Sequence, residues 1–192
     1  MFALLLTLSM FSAFGTPNPT DALTLEVVTP RSPVVEGERL DLVMRLVHHK
    51  TRESGKAPPV WVVKPGDGSE VGWREPWVRF EVEQKATGPD GVSGWKRLGE
   101  PMLGRCGLYD PNWEKDAVAL AAGESIPLKD WLPDPAQAFG LEAGTYRVTV
   151  RYQFRGGATK GHIPASTPQR LMLGVAPYEV VSKPIELVIV KR

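Results

Sequence analysis

Tyr146-Arg147-Val148-Thr149-Val150-Arg151-Tyr152-Gln153-Phe154-Arg155 alternates apolar and polar side chains without a break. Successive side chains of an extended chain point to opposite faces, so Tyr146, Val148, Val150, Tyr152 and Phe154 share one face. Arg147, Thr149, Arg151, Gln153 and Arg155 share the other. β-Branched and aromatic residues fit a pleated, half-buried surface. The stretch predicts a long strand with one face in a core and the other in water.

The same period recurs on both sides of it. Leu23-Thr24-Leu25-Glu26-Val27 alternates before Pro30 and Pro33 interrupt. Arg39 to His48 places Leu40, Leu42, Met44 and Leu46 on one face, and Trp77 to Glu83 does so with Val78, Phe80 and Val82. Val60 to Val63, Trp95 to Leu98, Val118 to Leu120, Ile126 to Leu128 and Ile185 to Val190 read as shorter strands. Thr87 to Gly94 and Ala122 to Ser125 read as turns, and 156–182 as a long loop with room for a short hairpin. No stretch keeps a helical period. The expectation is an all-β chain, an antiparallel immunoglobulin-like β-sandwich of about seven to nine strands with long loops.

Composition agrees with one such domain. The 192 residues include 19 Gly and 18 Pro, and are 42 % hydrophobic and 23 % charged. A formal net charge of +1 gives no field to recruit nucleic acid or anionic lipid. Residues 1–15 are apolar and uncharged and end Ala13-Phe14-Gly15, which reads as a signal peptide. Residues 16–22 then form a short leader and 23–192 a single sandwich domain. The expected location is outside the cytoplasm (periplasm, cell surface or medium), with no stable membrane insertion of the mature chain. The single cysteine, Cys106, excludes an intrachain disulfide and reads as a loop residue.

Leu141-Glu142-Ala143-Gly144-Thr145-Tyr146 resembles the Leu-x-x-Gly-x-Tyr approach to a late strand in fibronectin type III and other immunoglobulin-like domains. The resemblance implies that the Tyr146 hydroxyl closes a corner on upstream backbone, with Gly144 a structural residue beside it. Ala122-Gly123-Glu124-Ser125, Trp131 and Ala143-Gly144-Thr145-Tyr146 fall in an order similar to that of the bacterial intracellular proteinase inhibitor family. That similarity spans residues 118–155, and His48-His49-Lys50 stands where the family often has Asn. It implies a fold and, only by analogy, inhibition.

The residues point to no catalytic constellation. Ser93 lacks the Gly-x-Ser-x-Gly spacing and no phosphate-binding glycine loop appears. His48 and His49 point to opposite faces and read as solvent-facing strand-end residues, with His162 in a loop. Asp67, Glu70, Asp110, Asp116, Asp130 and Asp134 lie in loops without calcium-loop spacing. The chain is expected to be non-enzymatic, without cofactor or metal.

Six tryptophans carry more information. Trp61, Trp77 and Trp95 sit in strand patterns and read as core or sheet-face residues. Trp73, beside Arg74, and Trp113, beside Asn112, sit in loops. There a Trp either folds back over the sandwich or anchors a partner, and the same ring suits stacking on a sugar. Arg147 and Arg151 lie on the exposed strand face, where they pair with Glu81 and Glu83 or meet an acidic partner. The candidate binding residues are thus Trp73, Arg74, Asn112, Trp113, Arg147 and Arg151. A protein partner is the expectation, with protease inhibition through the 156–182 loop, or glycan binding by Trp73 and Trp113, as the alternatives.

Overall fold

The computed structural model describes residues 19–29, 31–49, 59–101, 113–128, 134–156 and 175–192. Among these the fold is all-β, with eleven strands in chain order. They are β1 Leu23–Val28, β2 Val34–Val35, β3 Val43–His48, β4 Val60–Val63, β5 Trp77–Thr87 and β6 Ser93–Arg97, followed by β7 Ala117–Leu120, β8 Ser125–Pro127, β9 Gly144–Phe154, β10 Tyr178–Val181 and β11 Ile185–Val190. Two short helices, α1 Pro19–Ala22 and α2 Pro135–Phe139, and a 3-10 turn at Trp113–Asp116 complete it. Pro19–Ala22 being helical, the stretch read as a leader continues directly into β1. The signal-peptide reading of 1–15 lies outside the described residues.

β9 is the spine. Its burial alternates along its length, with Tyr146, Val148, Val150, Tyr152 and Phe154 all buried. Each contributes about 2 kcal/mol of apolar burial. On one side it pairs antiparallel with β5, which pairs in turn with β6. On the other side β10 covers Arg151–Phe154 and β11 covers Gly144–Val148. Val181 opposes Arg151 and Ile185 opposes Val148, so residues 182–184 face 149–150 and the edge carries a one-residue bulge. Ser182 stitches it: its N–H donates to the Val150 carbonyl and its Oγ accepts the Val150 N–H, both at 2.9 Å.

β1, β3 and β8 form a second, antiparallel sheet, and β4 pairs with β7 in a third. Leu25, Met44, Leu46 and Ile126 of the second sheet join the buried faces of β5, β9, β10 and β11 in one core. The arrangement is sandwich-like.

Several expectations are corrected. Among the described residues the strands number eleven, since β2 and β10 were not foreseen. β2 pairs with β11 in parallel, the exception to antiparallel pairing among the described residues. β10 lies within the stretch read as loop 156–182, and of that stretch 157–174 is outside the described residues. The strand expected from Arg39 begins at Val43, because Asp41 turns into the left-handed region at φ 49. Leu40 and Leu42 are buried all the same, the Leu40 N–H held by Asp134 Oδ2 at 2.8 Å. Asp134 also caps α2 by accepting from Ala136 at 2.9 Å and Gln137 at 3.4 Å, which commits its carboxylate to backbone.

At the start of β9 the Tyr146 hydroxyl donates to the Glu142 carbonyl at 3.0 Å. A Cβ on Gly144 would lie 3.2 Å from Tyr146 Cε2 and 3.3 Å from its hydroxyl. Glycine at 144 lets the ring fold back over the backbone to reach Glu142.

Candidate functional site

The segment between β4 and β5 is tightly self-bonded. Ser69 is fully buried, its N–H donating to Gly66 O and its Oγ accepting the Gly66 N–H, both at 3.0 Å. The Trp73 N–H donates to Gly68 O at 2.9 Å and the Val78 N–H to Ser69 O at 3.1 Å. Gly68 and Gly72 sit at φ 90 and 72, where a side chain would be strained.

Two consecutive residues then turn inward. Arg74 is buried and pairs with Asp116 of the 3-10 turn, and its Nε donates to Glu75 O at 3.4 Å. The guanidinium lies so close over Gly66 that a Cβ there would come within 2.7 Å of Arg74 Cζ. Glu75 is buried as well. It accepts the backbone N–H of Arg155 and its Nε, each at 3.1 Å, while Arg155 Nη2 donates to Gly72 O at 2.8 Å. Burial pushes the Glu75 carboxyl above its ordinary range, opposed by the Arg155 contacts. Burial also raises Glu70 in the same loop, opposed by backbone N–H groups of Glu70 and Gly68.

Trp73, between the buried turn and Arg74, stays 44 % exposed. It is the large aromatic side chain that this locked loop carries to the surface. Arg74, by contrast, is a buried scaffold residue rather than a contact surface.

Trp113 is corrected from a loop-surface residue to a core one. It is 2 % exposed and meets Phe154 edge to face at 5.7 Å between ring centroids. Phe154 meets Tyr178 at 5.6 Å, and Tyr178 stacks on Tyr152 at 6.1 Å. The Tyr152 hydroxyl donates to Val63 O at 2.8 Å and accepts the Val63 N–H at 3.0 Å, tying β4 to β9. Asn112 lies outside the described residues.

Arg147 and Arg151 stand on the outward face of β9. Arg147 pairs with Glu186 at 3.1 Å and Glu83 at 4.0 Å, and lies over the Trp95 ring at 4.1 Å. Arg151 pairs with Glu81 and Glu179, both at 2.9 Å. They belong to a cross-strand charge network, the pairing arrangement among the two readings of the stripe. Trp77 carries Arg79 at 4.5 Å and Arg155 at 5.5 Å over its ring. Trp73 and Arg74 thus lie side by side in one loop, Trp73 exposed and Arg74 buried, while Trp113 is in the core against Phe154.

His48 is also corrected. It is 2 % exposed, with Nδ1 2.9 Å from Leu120 O, because β3 ends against the β7–β8 corner rather than in solvent. His49 is exposed; His162, Cys106, Asp110, Asp130 and Trp131 lie outside the described residues. Among the described residues no group of three or more His, Cys, Asp or Glu side chains is placed to hold a metal ion. No helix there is long and apolar enough to cross a membrane.

The sequence reading did not single out Glu75 or Arg155 as a clamp. Its available signal was the density of Gly and Pro from 65 to 76, which marks an ordered loop but not its inward-facing charges. No family model, curated protein or solved structure matches this chain.

Proposed function

We propose that the chain is an exported, non-catalytic interaction module of immunoglobulin-like build that recognises a protein partner through the loop between β4 and β5, with Trp73 as anchor. One observation carries the reading: Trp73 is 44 % exposed while Arg74 and Glu75, next in sequence, are buried and ion-paired. A large aromatic ring on a backbone already fixed loses little conformational freedom on binding, which is the character of an interface anchor. The clamp draws on Asp116 before β7 and Arg155 after β9, so the loop is held from two other parts of the chain.

Glycan recognition, the alternative, needs open aromatic faces. Among the described residues Trp77 and Trp95 have guanidinium groups over their rings, Trp61 is packed against the core and Trp113 is in it, which leaves Trp73 as the exposed ring. Of the 156–182 stretch read as a protease-inhibiting loop, 157–174 lies outside the described residues and 178–181 is the strand β10.

The test is affinity capture from the exported fraction of the producing cell, with the full chain and with Trp73→Ala. One protein enriched by the first and lost with the second is the expected result. Enrichment unchanged by the substitution, or none, would overturn the assignment of Trp73.

A further inference from the structure

β6 ends its sheet, after β5, and its register sets Arg97 opposite Glu83 and Ser93 opposite Thr87. Just beyond the strand the Leu98 N–H donates to Val82 O at 2.8 Å, and in the turn the Gly88 N–H donates to Val92 O at 2.9 Å. Antiparallel pairs alternate between bonded and non-bonded, so the bonded pairs of β6 are Lys96 with Gln84 and Gly94 with Ala86. The N–H and C=O of Ser93, Trp95 and Arg97 therefore point away from β5. Among the described residues no strand pairs with that edge, and Ser93, Gly94, Lys96 and Arg97 are exposed.

A row of open N–H and C=O groups is a template for one more strand. Its charge selects the strand. From Gln84 to Arg97 the hairpin holds Lys85, Lys96 and Arg97 against Asp90 alone, a net of +2, more than the +1 of the whole chain. Lys85 and Lys96 are exposed and have no ion-pair partner among the described residues. Lys96 shares a face with Gln84, and Arg97 lies on the other face with Trp95, so an added strand meets a cation on each side. Two copies of this edge would bring like charges together, which disfavours a second copy of the chain and favours an acidic segment. A nucleic acid has no row of amide donors and acceptors to match the edge.

We propose that the outer edge of β6 takes up an extended acidic peptide segment of a partner as an added strand. The segment's backbone bonds Ser93, Trp95 and Arg97, and its carboxylates lie beside Lys96 and Arg97. This surface does not rest on the reading of Trp73 as an anchor and stands or falls without it.

The test follows the backbone amides of the full chain by NMR. The probes are the peptide Thr-Val-Glu-Glu-Val-Thr, capped at both ends, and the same peptide with lysine for both glutamates. Adjacent glutamates put one carboxylate on each face of the added strand. Saturable shifts with the acidic peptide and none with the lysine peptide are expected. Amide exchange at Ser93, Trp95 and Arg97 should slow about tenfold or more at saturation. Lys96→Glu should weaken binding about fivefold. Ser93→Pro should weaken it too, since the N–H it removes points outward and a proline is tolerated at the first residue of an edge strand. Amide protection and Lys96→Glu keep the test open if the proline variant fails to fold. No saturable shift, an equal response to both peptides, protection at another strand instead, or undiminished binding by either folded variant would overturn the proposal. Exchange at the three amides that slows with protein concentration alone would overturn it in favour of a second copy.

Discussion

Glu75 accepts both the backbone N–H and the Nε of Arg155, each at 3.1 Å, so one buried carboxylate joins the site loop to the end of β9. Trp73 stands two residues before this bond and one before the Arg74–Asp116 pair. The exposed ring is thus carried by backbone that is fixed from below, and the consequences can be measured separately for the clamp, the anchor and the core.

Glu75→Ala leaves the Arg155 N–H without its acceptor. Destabilisation of about 1–2 kcal/mol is expected, and amide exchange at Arg155 should quicken about tenfold. Hydrogen exchange by NMR or mass spectrometry reads both. Exchange at Arg155 unchanged from the parent would mean the bond does not hold the loop.

Asp116→Ala strands the buried Arg74 guanidinium. Removing one partner of a buried pair costs about 3–5 kcal/mol, toward the lower end here because the Asp116 side chain is 31 % exposed. Urea unfolding measures it, and a loss below about 1 kcal/mol would place the pair among ordinary surface bridges.

The two loop tryptophans should behave oppositely. Trp113→Ala opens a cavity beside Phe154 and should cost about 3–5 kcal/mol. Trp73→Ala should change stability by no more than about 0.5 kcal/mol. Thermal or urea unfolding of the two variants side by side decides it.

The Glu70 carboxyl is raised by burial, so the folded state holds its proton more tightly than the unfolded chain does. Its contribution to stability is fully present below the ordinary carboxyl pKa and is lost as pH rises through the folded value. Glu70→Gln removes that loss. The variant should gain stability relative to the parent as pH rises above the ordinary carboxyl range. A stability difference independent of pH would show that Glu70 titrates normally.

Much of the fold was legible because a half-buried strand writes itself as a period of two. β4, Val60–Val63, and β11, Ile185–Val190, match their expected limits, and β9 gains only Gly144 and Thr145 and loses Arg155. β2, with two residues, is too short to show a period, and β10 was absorbed into a run of Gly and Pro. The Gly-x-Tyr pattern carried real geometry, since Gly144 makes the space through which Tyr146 reaches Glu142. The site was less legible. Nothing local says that Arg74 points inward and Trp73 outward, because that depends on Asp116 and Arg155, which lie far off in the chain. Trp113 and His48 were misplaced for a related reason: burial of a loop or strand-end residue is decided by what packs over it, which neighbouring sequence does not state.

The most direct test puts a photo-crosslinking phenylalanine at position 73 in the producing cell, with the same probe at position 188 as control. Val188 is 42 % exposed and Trp73 44 %, so accessibility is matched. A discrete protein adduct from position 73 and none from position 188 is the predicted result. No adduct at 73, or the same adducts from both positions, would contradict the account of Trp73 as the anchor of an interaction module.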